Sequence, residues 1–168
     1  MQLREINKAI YRKHLNRVFA GIAFALIVTS LFASTLLIKI FSTPEASHFY
    51  HNMAGVIVAA VIVVLVLTRL RRHPYLLEVV YVWDLKQMLN RIYRKQRKIE
   101  AAVEDNDRNA MIIMNFQYRG SKQLYELDDN TITIGDLIDK IRANDKRLED
   151  AGLSLSTDTF DPELLKQY

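Results

Sequence analysis

The sequence predicts an all-α protein, a two-helix transmembrane hairpin followed by a small cytoplasmic antiparallel helical bundle. Three observations lead there. Two apolar runs, Val18 to Ile38 and Met53 to Thr68, lie close together near the front of the chain. Arginines flank the pair on both sides, while the loop between them, Ser42 to Asn52, holds no Lys or Arg. Beyond Arg72, apolar residues return at three- and four-residue steps, the period of an amphipathic helix. The expected organisation is therefore a basic segment and hairpin over residues 1–72, with spans at about 18–38 and 53–70, and a helical domain over 73–168.

The first run, at about 1.5 Å of rise per residue, covers about 31 Å, enough for the hydrocarbon core of a bilayer. The second covers only about 24 Å, so Phe49, Tyr50, His51 and Arg69 are needed to carry its ends to the interfaces. Twelve strongly apolar residues in the first run and ten in the second give insertion free energies of about −4 to −7 and −3 to −6 kcal/mol at most. Both segments are expected to insert and, being long and closely paired, to be retained rather than cleaved as a signal peptide. Arg4, Lys8, Arg12, Lys13 and Arg17 precede the first span, and Arg69, Arg71 and Arg72 follow the second. The positive-inside rule then places both termini in the cytoplasm, with Lys39 snorkelling at the outer end of the first span. The lipid bilayer is thus the first partner expected, and orientation with headgroup contact is the favoured account of the basic clusters, with a specific anionic-lipid pocket as the alternative.

Small residues recur at four-residue spacing as Gly21 with Ala25, Ser30 with Ser34, and Gly55 with Ala59. Such pairs let helix backbones approach closely in lipid. Packing of the two spans against each other is the favoured use, and homodimerisation is the other.

In the outer loop, Thr43-Pro44-Glu45 has the form of a helix cap followed by proline at the first helical position. Glu45, His48 and His51 follow at three-residue spacing, and on a helical turn a carboxylate and two imidazoles are an acceptable set of metal ligands. An eleven-residue loop with no supporting groups favours interfacial anchoring over a metal site, so no metal or cofactor is assigned.

After Pro74 the pattern predicts one long helix to about Glu104, its stripe formed by Tyr81, Leu85, Met88, Leu89, Ile92, Ile99 and Val103. Asp107 caps a second helix carrying Ala110, Ile113, Met114, Phe116, Leu124 and Leu127, within which Gly120 marks a kink or a close contact. Asp128-Asp129-Asn130 ends it. Thr133 with Asp136 resembles a capping box for a third helix, Ile134 to about Ala151, with Leu137, Ile138, Ile141 and Leu148 on its apolar face and Gly152 as its stop. Asp161-Pro162 opens a last turn. Ile132 and Leu153 to Thr157 alternate but are too short to found a sheet. Short connections make these helices antiparallel neighbours, and most of the aromatic residues are expected in the core, with Trp83 either there or at the membrane interface.

Composition closes several routes. The net charge of +4 hides a split, because residues 73–168 carry fourteen basic against seventeen acidic side chains. A soluble part of net negative charge disfavours nucleic acid as a partner. Without cysteine there is no disulfide framework, thiolate metal site or cysteine nucleophile. The chain has no phosphate-cradling glycine loop, no HExxH and no nucleophile elbow, and no small-molecule substrate suggests itself. The one concentrated charge run, Arg91, Arg94, Lys95, Arg97 and Lys98, is expected to pair with Asp145, Glu149 and Asp150 once the third helix folds back, or else to receive an acidic protein partner or an RNA backbone.

Four stretches, YRKHLNRV at Tyr11 to Val18, SHFYHNMAG at Ser47 to Gly55, RRHPYLLEVVYVWDLKQMLNRI at Arg71 to Ile92, and NFQYRGSKQLYELDDNTIT at Asn115 to Thr133, carry a resemblance over nearly the whole chain. The sequence resembles a family of small gammaproteobacterial inner-membrane proteins grouped as a domain of unknown function. That resemblance implies two spans, a cytoplasmic tail and a multi-pass location in the bacterial inner membrane, and it supplies no catalytic or binding residues. The function expected is a non-enzymatic, membrane-tethered protein-interaction or scaffold module. An accessory or oligomeric component of a transport system is the alternative, weakened by the lack of ionisable groups inside the spans.

Overall fold

The computed structural model describes residues 1–43, 47–130 and 133–168, and among these all regular structure is helical. The chain divides into two compact units, residues 7–80 and residues 81–168 together with residues 1–6.

In the first unit, Asn7 takes up an extended cap conformation and accepts a hydrogen bond from the Ile10 amide (3.1 Å), which starts α1, Lys8–Phe41, well before the apolar run. Its 34 residues make a helix of about 51 Å. The second helix, α2, Phe49–Leu70, also starts early. The Asn52 amide donates to the His48 carbonyl (3.0 Å), so Phe49 to Asn52 are helical rather than part of the loop, and 22 residues give about 33 Å. The shortfall expected from the apolar run alone disappears. Both helices are long and apolar enough to cross a membrane.

The two helices meet through small residues. A Cβ on Gly55 would lie 2.1 Å from Ser34 Oγ and 3.0 Å from the Ser30 carbonyl oxygen, so only glycine permits this approach. Ala59 is fully buried in the same seam, and Ser34 Oγ donates to the Asn52 carbonyl (3.4 Å). Two of the small pairs therefore serve hairpin packing, as expected. The third does not: a Cβ on Gly21 would meet nothing within 4 Å. After α2, His73 accepts from the Tyr75 amide (3.2 Å) and opens a 3-10 turn, Pro74–Leu76, that leads into α3, Leu77–Tyr93.

The second unit holds most of α3 with α4, Gln96–Glu104, α5, Arg108–Leu127, and α6, Ile134–Asp150. The expected single helix to Glu104 is broken at Arg94-Lys95, where the Lys95 amide turns back to the Ile92 carbonyl (2.8 Å). Tertiary structure sets this break. The Lys95 ammonium is held by the Leu165 carbonyl (2.7 Å), and Ile92 and Ile99 on either side are both completely buried. Helix α5 is central, with Phe116, Ile113, Met111 and Met114 enclosed. Gly120 is a close contact rather than a kink, since a Cβ there would lie 3.1 Å from Leu89 Cδ2 and 3.3 Å from Leu85 Cδ1.

Helix ends follow the turn chemistry. Asp107 accepts from the amides of Asn109 (2.7 Å) and Ala110 (3.0 Å), and Asp161 accepts from Glu163 (2.9 Å) ahead of the 3-10 turn Pro162–Gln167. At Gly152, with φ +65°, the Gly152 amide bonds the Glu149 carbonyl and the Leu153 amide bonds Leu148, a Schellman ending. Asn106 (φ 60°) and Asp129 (φ 56°) occupy the same left-handed position after α4 and α5. The capping box at Thr133 does not form. Thr133 sits at φ −99°, ψ 1°, and its side chain makes no cap bond, because a box needs an extended cap residue. Pro44 and Glu45 of the expected cap at Thr43 lie outside the described residues, as does Ile132.

Candidate functional site

At the start of α2, His48 and His51 lie edge to face, with ring centroids 6.5 Å apart, and His48 Nδ1 lies 3.0 Å from Ser42 Oγ. Glu45, the carboxylate of the ligand set, lies outside the described residues. Among the described residues no group of three potential ligands converges.

The basic run divides in two. Lys95 and Lys98 point back into their own unit, Lys98 Nζ donating to the Tyr168 carbonyl (3.0 Å) as Lys95 does to Leu165. Arg91, Arg94 and Arg97 are exposed and make no ion pair within the described residues, and Tyr93 beside them is 68% exposed. The expected pairing with α6 fails because Asp145 is taken. Both of its oxygens accept from Arg119 Nη2 (2.8 and 2.9 Å), and Arg119 Nε donates to Asn115 Oδ1 (2.8 Å), whose Nδ2 bonds the Leu155 carbonyl (3.0 Å). This half-buried relay ties α5 to α6 and to the chain beyond it. Glu149 and Asp150 are exposed. Trp83 is 62% exposed, so neither it nor Tyr93 belongs to the core. Arg91, Arg94 and Arg97 thus stand exposed across the end of α3, the break and the start of α4, with the exposed Tyr93 among them.

A second concavity of about 430 Å³ lies among α4, α5 and α6, lined by Glu100, Glu104, Tyr118, Lys140, Asn144 and Arg147. Its charges are largely matched internally, with Arg147 donating to Glu104 (2.8 Å). Burial raises the Tyr118 phenol above its usual value, and the Glu100 carboxylate adds to that while Arg147 opposes it. Asp128 pairs with Lys86 (3.0 Å), and Asp129 serves the α5 ending.

Three arrangements left no sequence signal. The first is a closed hydrogen-bond ring. The Arg4 amide donates to Tyr81 Oη (2.9 Å), Tyr81 donates to Gln123 Oε1 (2.9 Å), and Gln123 Nε2 returns to the Arg4 carbonyl. Burial raises the Tyr81 phenol despite these bonds. The second is in the hairpin unit, where His14 stacks on Tyr75 (3.9 Å between centroids) and His14 Nδ1 lies 3.5 Å from Glu78 Oε2. The third is an apolar cleft of about 530 Å³ between α1 and α2, lined by Gly21, Ala25, Val63, Val66 and Leu70 with His73 at one end.

No curated protein and no solved structure gives a match to this chain. One family model does, over residues 1–165 and so over every α-helix described above, and the chain accordingly belongs to the DUF3087 family, described as a protein of unknown function.

Proposed function

We propose that this protein is a membrane-tethered, non-enzymatic interaction module. In this reading α1 and α2 cross the bilayer with both termini on the cytoplasmic side, and the helical unit offers Arg91, Arg94, Arg97 and Tyr93 to an acidic segment of another protein. One observation carries it. Large apolar side chains stay exposed around both long helices, among them Phe24 (70%), Phe32 (71%), Val64 (58%) and Leu65 (60%). Contiguous apolar surface of this kind is tolerated in lipid and not in water. The placement of Lys and Arg outside the hairpin loop supports the orientation. Three arginines without ion-pair partners among the described residues, around an exposed tyrosine, support recognition of carboxylates by bidentate contacts.

The test is made in cells. A photocrosslinking amino acid at Tyr93 should give a discrete adduct with another protein, and one placed at Asp139 on α6 should not. Adducts with lipid and self alone would count against a protein partner. Release of the chain by alkaline carbonate would refute membrane integration itself.

A further inference from the structure

We propose that the cleft between α1 and α2 holds one acyl chain of an anionic phospholipid, with its phosphate at the arginine-rich end. The inference rests on the reading that these helices lie in a bilayer. The two halves of the hairpin differ. At Gly55 the helices touch so closely that a Cβ would strike Ser34, whereas at Gly21 a Cβ would find open space. The open half is the cleft of about 530 Å³, apolar along its length.

Its shape suits a chain rather than a helix. From Val18 to Thr29 the lining of α1 extends about 16 Å, so the mean cross-section of the cleft is about 30 Å². A helix with its side chains is about 10–12 Å across, wider than the groove, and would lie over it rather than along its floor. Left empty, the lining would lose its dispersion partners on one side, and in a bilayer hydrocarbon chains are the medium at hand.

Charge complementarity selects the headgroup. The lining residue Val18 follows Arg17, and Leu70 lies between Arg69 and Arg71, with Arg72 next. Neither α1 nor α2 contains an acidic residue, and the first one after α2, Glu78, faces His14 at 3.5 Å. A phosphate at this end would be drawn to Arg17, Arg69 and Arg72, close in sequence to the lining residues Val18 and Leu70, whose guanidinium groups grip phosphate through paired N–H donors.

The full chain, reconstituted in nanodiscs of phosphatidylcholine with a minor fraction of phosphatidylglycerol and analysed by native mass spectrometry, should retain one phosphatidylglycerol per chain. Gly21→Leu and Ala25→Leu, which fill the cleft, should lose it while reporter fusions show the same topology. Arg17→Gln combined with Arg69→Gln should keep a lipid but lose the anionic preference. A wild-type chain that stays in the membrane yet retains no lipid, or retains lipid in the bulk proportion, would overturn the inference alone. Retention by Gly21→Leu would do the same, and a disulfide between Gly21→Cys chains would assign the cleft to a second copy. Extraction of the wild-type chain by alkaline carbonate would instead strike the membrane reading beneath it.

Discussion

Gly55 and Gly21 are the same residue type in the same kind of helix with opposite consequences. At Gly55 the added methyl would meet both the Ser34 side chain at 2.1 Å and its backbone nitrogen at 2.7 Å, and backbone cannot rotate away. Gly55→Ala should therefore force α1 and α2 apart at a cost of about 1–3 kcal/mol, as overpacking does, while Gly21→Ala should be neutral or slightly stabilising. Unfolding of the hairpin in mild micelles by titrated denaturing detergent reads both. A titrating group makes a second contrast. Burial first, and then the neighbouring Asp107 carboxylate, push the Tyr168 phenol from 10.0 up to about 12, although the contact falls outside ordinary hydrogen-bond geometry. A phenol with a raised folded value binds its proton more tightly when folded. Its contribution is thus complete below pH 10 and is lost as pH rises from there through about 12. Tyr81 and Tyr118 are shifted in the same direction and add to the same loss. Thermal melts across this range should fall more steeply for the wild type than for Tyr168→Phe, and equal slopes would refute the assignment.

Helix boundaries were legible wherever one side chain meets one backbone group, and obscure wherever distant chain decides. Asp107, Asp161-Pro162 and Gly152 each act within three residues, so composition at those points was enough to place them. The break at Arg94-Lys95 depends on Leu165, a carbonyl seventy positions away, and periodicity continues across it undisturbed. Thr133 failed for a related reason, because its residue type is right and its backbone is not. The turn after α4 carries a prediction of its own. Asn106 holds φ 60° where glycine is at ease, and the Asp107 amide already closes the turn on the Ala102 carbonyl (2.9 Å). Asn106→Gly should preserve that bond and remove the left-handed strain, raising stability by up to about 1 kcal/mol. Chemical denaturation checks the sign, and a loss would show that the asparagine side chain contributes more than its backbone costs.

The order of two long apolar helices followed by a helical unit was readable because it rests on hydropathy and its period, both of which survive in one dimension. The return of residues 1–6 to the helical unit was not, since Leu3, Arg4 and Ile6 carry no period and the ring with Tyr81 and Gln123 is made partly by backbone. Nor was the exposure of Arg91, Arg94 and Arg97, because Asp145 has the right charge and its engagement with Arg119 appears only when α5 and α6 are packed. That engagement gives the proposed interaction its sharpest test. Arg91, Arg94 and Arg97 contribute no ion pair within the described residues, so Arg91→Glu, Arg94→Glu and Arg97→Glu together should leave the melting temperature close to the wild type, each exposed change being worth no more than about 0.5 kcal/mol. The photocrosslinked adduct at Tyr93 should nevertheless vanish. Salt provides the independent arm: between physiological ionic strength and 1 M the screening length shrinks from about 8 to about 3 Å, so a carboxylate-bearing partner should dissociate while an apolar one holds. An adduct that persists after charge reversal and in high salt would mean that Tyr93 and the apolar stems around it carry the recognition, and the arginines would then be no more than a solvated face.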